Sequence, residues 1–153
     1  DSFLVCGDLM NAFETLSSLP GSHLMPSWFS DYNHRPGFFG IFDGHCGSEA
    51  ARYSAEQLTQ YVYNELSAEV SVPSGLPLEE NLGEVLLSAI AKLDDKFCQL
   101  CSEDGRNWES GTTAIISAIV DDRLIIANIG DCRAVLCRSV ESTSDQRREE
   151  ILR

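Results

Sequence analysis

The chain has 153 residues, 43% of them hydrophobic and 23% charged, and carries a net charge of −13. That length and composition fit one globular domain with a real core and argue against wholesale disorder. The acidic balance, with no Lys or Arg before Arg35, argues against a nucleic-acid or anionic-membrane partner, since either would need clustered cations.

No apolar run approaches the roughly 20 residues that span a bilayer. No secretory leader is visible either, although the sequence opens on Asp1 rather than Met. The six cysteines (Cys6, Cys46, Cys98, Cys101, Cys132, Cys137) lack the spacing of a small disulfide scaffold. They read as thiols in a reducing compartment, cytoplasmic or nuclear. Cys98-x-x-Cys101 has no second pair and no His after it, so core or surface thiols are the better reading than a metal or redox motif.

In chain order, residues 2–6 read as a strand closed by Gly7-Asp8. Residues 9–36 read as an irregular insertion, punctuated by Ser17, Ser18, Pro20, Gly21, Ser22 and Pro26, with His23 and His34 as solvated loop residues and Trp28 and Phe29 tacking the loop to the core. Residues 38–42, aromatic and β-branched between glycines, form a buried strand that delivers Asp43, Gly44 and His45 to a loop. A helix follows, with Ser48 as N-cap, Glu49 in its first turn and Ala51, Ala55, Leu58, Val62 and Leu66 as its stripe. Residues 71–77 break it.

A second helix spans about 78–100 and presents Leu82, Leu86, Ala89, Leu93, Phe97 and Leu100, with Asp94 and Asp95 on a solvated face. Residues 103–109 form a polar loop. Two apolar runs, 112–120 and 123–129, joined by Asp121-Asp122, give a hairpin. Gly130-Asp131 makes another turn, and 133–137 adds a third strand to an antiparallel meander. Residues 139–153 read as a polar tail.

The chemistry centres on Asp43-Gly44-His45. Asp-Gly can be simply a turn, with His45 an exposed loop residue. Alternatively, Asp43 offers a carboxylate to a hard divalent cation, Gly44 offers a carbonyl unshielded by a Cβ, and His45 stands by as a proton donor. Asp131 in a Gly-Asp turn and Asp1 at the start of a strand have equally plain readings as turn and frayed terminus.

The segment 38–47, FFGIFDGHCG, resembles the signature of the metal-dependent protein serine/threonine phosphatases of the PP2C (PPM) type. The segment 110–138, SGTTAIISAIVDDRLIIANIGDCRAVLCR, resembles that family's Ser-Gly-Thr-Thr and Gly-Asp-Ser/Cys-Arg-Ala elements, and Asp1-Ser2-Phe3 resembles the tail of its first motif. The resemblance implies an α+β fold, an α-β-β-α four-layer sandwich with antiparallel sheets. Residues 1–153 would be the N-terminal part of that domain, incomplete at its C-terminal side.

It also implies hydrolysis of phosphoserine and phosphothreonine in protein substrates, by attack of metal-bound water with two or more Mg²⁺ or Mn²⁺ ions. Asp43 would bridge the metals and Gly44 would ligate through its carbonyl. Asp1 would act through bound water, Asp131 would serve an additional weaker metal position, and His45 would protonate the leaving oxygen. The family's phosphate-holding basic residue and later metal aspartates match nothing here, so this portion alone is expected to be inactive. A non-catalytic, partner-binding relative of the family is the alternative. Cys46 stands where the family usually has a small residue, most often Gly, and is expected to be harmless because Gly47 follows.

Overall fold

The structure, a computed structural model, describes residues 1–18, 36–68, 78–103, 105–120, 122–137 and 150–152. The elements are β1 (Ser2–Cys6), α1 (Leu9–Ser17), β2 (Gly37–His45), α2 (Glu49–Ser67), α3 (Leu78–Cys101), β3 (Gly111–Val120), β4 (Arg123–Ile129), β5 (Ala134–Leu136) and β6 (Glu150–Leu152). Asp121, the expected breaker at 71–77, the loop residues His23, Trp28, Phe29 and His34, and residues 139–149 of the expected tail lie outside the described residues.

Strands β1 to β4 form one antiparallel sheet in sequence order. Successive side chains along a strand point to opposite faces, and here the two faces have different fates. Leu4, Phe38, Phe42, Ala114, Ile116, Ala118 and Val120 face the helices and are buried. Burial of a large apolar side chain such as Phe38 or Ile116 is worth about 1.5–3 kcal/mol. On the other face Phe3 and Ile41, directly paired across β1 and β2, are 77% and 58% exposed. Ile119 and Leu124, paired across β3 and β4, continue that open apolar surface.

The helices α2 and α3 cover the inner face. Ala51, Leu58, Val62 and Leu66 of α2 pack with Leu82, Leu86, Ala89 and Leu93 of α3 in one core, matching the stripes read from spacing. Buried Glu65 joins the two helices, accepting from Ser88 Oγ and Lys92 Nζ. The pairing replaces the hydration that the carboxylate loses.

Two expectations need correction. Residues 9–36 are not irregular throughout, because residues 9–17 form α1. Asp8 caps it by accepting from the Asn11 amide at 3.1 Å, and Leu9 donates to the Pro36 carbonyl at 2.8 Å. Fully buried Phe13 meets Tyr63 of α2 edge-on, with centroids 5.4 Å apart. The strand near 133–137 also departs from the expected meander. Residues 134–136 pair with β6, inside the expected polar tail, and form a separate two-stranded sheet. The positive φ of 84° at Gly130 turns the chain out of the β3–β4 ladder.

Candidate metal-binding edge of the sheet

Phe42, Asp43, Gly44 and His45 are still β2, not a loop beyond it. Asp43 pairs with Thr113, Gly44 with Thr112 and His45 with Gly111. The ladder therefore fixes these three residues more firmly than a turn would, and alternation sorts them. Phe42 enters the core, while Asp43 emerges on the open face and is exposed.

Gly44 points back toward α2. A Cβ there would stand 3.1 Å from the Ala51 Cβ and 3.2 Å from the Gly47 carbonyl oxygen. The glycine is thus explained by the close approach of the helix, whatever its carbonyl binds. His45 emerges again on the face of Asp43 and is exposed. Its imidazole lies against Gly111, where an added Cβ would come within 2.5 Å of Nε2.

The register brings the other candidates to this end of the sheet. Ser2 pairs with Phe42, so Asp1, the next position along, falls opposite Asp43. On the other side Thr113 packs against Gly130, whose Cβ would approach the Thr113 Cγ2 to 2.6 Å, and exposed Asp131 follows. Thr113 Oγ1 also lies 3.2 Å from Cys132 Sγ. Asp1, Asp43 and Asp131 share an end of the sheet but do not close on one point: among the described residues no three His, Cys, Asp or Glu side chains form a metal-holding group. The donors on offer are carboxylate and carbonyl oxygens, the set that suits Mg²⁺ or Mn²⁺ rather than a soft metal.

After His45 the chain reverses through Cys46 at φ 57° and Gly47 at φ 136°. Cys46 is therefore not the harmless replacement expected, since a Cβ in the left-handed region crowds its own backbone. The start of α2 is held in an unexpected way as well. Ser48, the expected N-cap, makes no side-chain capping bond. Instead the buried Ser110 hydroxyl accepts from the Ala50 amide at 3.1 Å. The carboxyl of Glu49 is held below its ordinary value, first by its own backbone amide and then by the Ser110 hydroxyl.

On the helix side, Ser110, Gly111 and Thr112 border a groove of about 460 Å³ lined also by Phe97, Trp108 and Cys98. The Cys98 thiol is pushed up chiefly by the Asp94 carboxylate, which disfavours the thiolate a soft metal would need. Sequence reasoning gave no role to Ser110 or Gly111, although the motif containing them was in view.

An antiparallel sheet backed by helices on one face, with carboxylates and an imidazole at one end of the other, defines an α+β protein with a candidate cation-binding edge. Comparisons with known proteins bear on the family and the fold. Residues 8–148 match the sequence profile of the family described as Protein phosphatase 2C, and the chain belongs to that family.

A relative in Arabidopsis thaliana, "Probable protein phosphatase 2C 22", is 33% identical over 150 residues, covering 96% of this chain and 32% of the relative. The "Integrin-linked kinase-associated serine/threonine phosphatase 2C" of Bos taurus is 34% identical over 109 residues, covering 71% of this chain and 28% of its own length. A solved structure described as a C. elegans sex determining protein superposes with a TM-score of 0.55 at 18% identity. It covers 89% of this chain and 31% of the other, which supports the fold. The chain thus spans about a third of the length of the relatives it matches.

Proposed function

We propose that this chain supplies part of the catalytic edge of a metal-dependent protein serine/threonine phosphatase. The observation that carries the reading is the placement of Asp43 on the open face of β2, with Asp1 opposite in register and His45 two residues further along the same face. Asp43, Asp1 and the Gly44 carbonyl would hold Mg²⁺ or Mn²⁺, with Asp131 serving a further position. A divalent ion there would make a nucleophile available from water at neutral pH and draw charge from the phosphoryl oxygens.

The remaining work falls to the protein. The departing serine or threonine oxygen is a poor leaving group unless protonated, and His45 is the nearby group able to give it a proton. The ladder with β3 would keep the imidazole and the carboxylate at a fixed separation, so that one donor serves one substrate pose. A reducing compartment, cytoplasmic or nuclear, belongs to the same reading and rests on the cysteine spacing in the sequence.

The test is Mn²⁺-dependent phosphate release from a phosphothreonine peptide by the longest natural polypeptide that carries this chain. Asp43→Asn is expected to lower the rate by about two orders of magnitude or more, in line with the several kcal/mol that a metal site provides. A parent that is inactive with Mn²⁺ and Mg²⁺, or an Asp43→Asn variant that loses nothing, overturns the reading and favours the non-catalytic alternative.

A further inference from the structure

Gly111 is a glycine that its backbone does not require. Gly47, Gly105 and Gly130 have positive φ, but Gly111 does not. It sits in the ladder of β3, where glycine weakens a strand by leaving nothing to pack. The three heavy atoms nearest to a Cβ at this position are all from one ring: His45 Nε2 at 2.5 Å, Cε1 at 2.9 Å and Cδ2 at 3.3 Å. The space is therefore reserved for the imidazole.

Its neighbour Ser110 fixes the other side of the same turn. The buried hydroxyl accepts from the Ala50 amide at the start of α2. The same hydroxyl meets the Glu49 carboxylate. Gly47, which ends the turn, passes so close that a Cβ there would stand 2.9 Å from the Ser110 Cβ. Ser110, just before β3, thus grips the turn from the helix side, and Gly111, the first residue of β3, leaves a flat seat for the ring on the open side.

We propose that Ser110 and Gly111 are positioning residues for His45. Gly111 is the seat that sets the direction of the imidazole, and Ser110 is the clasp that holds the turn carrying it. This rests on the reading of His45 as proton donor to the leaving oxygen. The contact is with the far end of a side chain and the backbone of residue 111 is ordinary, so Gly111→Ala is expected to fold with the ring displaced.

The experiment compares two substrates in the longest natural polypeptide carrying this chain, assayed with Mn²⁺. The leaving group of p-nitrophenyl phosphate departs without a proton, whereas that of a phosphothreonine peptide needs one. Gly111→Ala is expected to slow the peptide reaction about a hundredfold and the p-nitrophenyl reaction by less than about fivefold, the gap that loss of a general acid produces. His45→Gln should show the same split, and adding Gly111→Ala to it should cost nothing further.

If His45→Gln slows both substrates equally, the proton-donor reading fails. If His45→Gln splits them and Gly111→Ala does not, the seat fails while that reading stands. Ser110→Ala should give a weaker split in the same direction, and an equal loss on both substrates would remove Ser110 from the proposal. A metal-free measurement is independent of activity: nuclear Overhauser contacts between the His45 ring protons and the Gly111 Hα should be present and vanish in Gly111→Ala. Their absence from the unaltered protein overturns the proposal. Should Gly111→Ala fail to fold, the Gly111→Ala/His45→Ala double variant must fold, and its failure overturns the proposal too.

Discussion

Cys46 is held at φ 57°, between a strand that ends in His45 and the glycine that completes the turn. The left-handed region costs a residue with a Cβ about 1–2 kcal/mol, and glycine gives back about 0.5–1 kcal/mol through its freer unfolded chain. Cys46→Gly should therefore raise the unfolding free energy by up to about 1 kcal/mol, a few degrees in a melting curve. A loss of stability on that change would contradict the strain.

Glu49 provides a pH-dependent counterpart. Its carboxyl is held below the ordinary 4.5 by its own amide and by Ser110, so its folded-state value lies under the unfolded one. The stabilisation is present above the unfolded value and is lost as pH falls through the folded one. Glu49→Gln should melt lower than the parent at pH 7, and the two curves should converge once the pH falls below the folded-state value of the carboxyl. A gap that persists in acid would assign the effect to packing instead. The residues named from sequence for this edge, Asp43, Gly44 and His45, were legible because three unusual groups followed an apolar run. Gly111 was not, because a glycine in a strand looks like a weakness until the ring beside it is seen.

At the scale of elements, periodicity worked where one side chain in three or four faces a core. The stripes of α2 and α3 are direct consequences of that geometry, and the two apolar runs that read as a hairpin are β3 and β4. It failed for α1, although Asp8 as cap followed by Leu9, Phe13 and Leu16 carries the signal. The Ser and Pro cluster beyond it dominated the window. The end of β2 was misjudged for a related reason: Asp-Gly normally marks a turn, and only pairing with Thr113 and Thr112 reveals a strand. The departure of β5 from the sheet depends on a partner, β6, far along a polar stretch, which no local pattern announces.

Phe13 tests the α1 assignment. Its ring is fully buried against Tyr63, so Phe13→Ala should cost about 3–5 kcal/mol. Amide exchange should accelerate through residues 9–17 and remain comparatively slow in β3. Uniform acceleration, or none, would show that α1 is not anchored in this way.

For the whole molecule, the sheet has one face sealed by helices and one left open with Phe3, Val5, Ile41, Ile119 and Leu124 at the surface. Contiguous exposed apolar area of this kind binds other surfaces. These two layers are half of an α-β-β-α sandwich, and the open face is where a second sheet would lie. The proposal accordingly assigns complete catalysis to a longer polypeptide. Phe3→Ser with Ile41→Thr should reduce the binding of a hydrophobic dye by this chain and leave its melting temperature within a few degrees, since neither side chain is in the core. A collapse in stability would mean that the open face is already covered.

The same open face carries Asp43, so the central claim concerns where a cation settles on a protein whose net charge is −13. Paramagnetic broadening of backbone amide signals by substoichiometric Mn²⁺ reads that location directly. The expected result is selective broadening around residues 1–2, 43–45 and 112–113, with the exposed carboxylates of α3 spared, and its loss in Asp43→Asn. Broadening spread over the acidic surface and unchanged in Asp43→Asn would contradict the account.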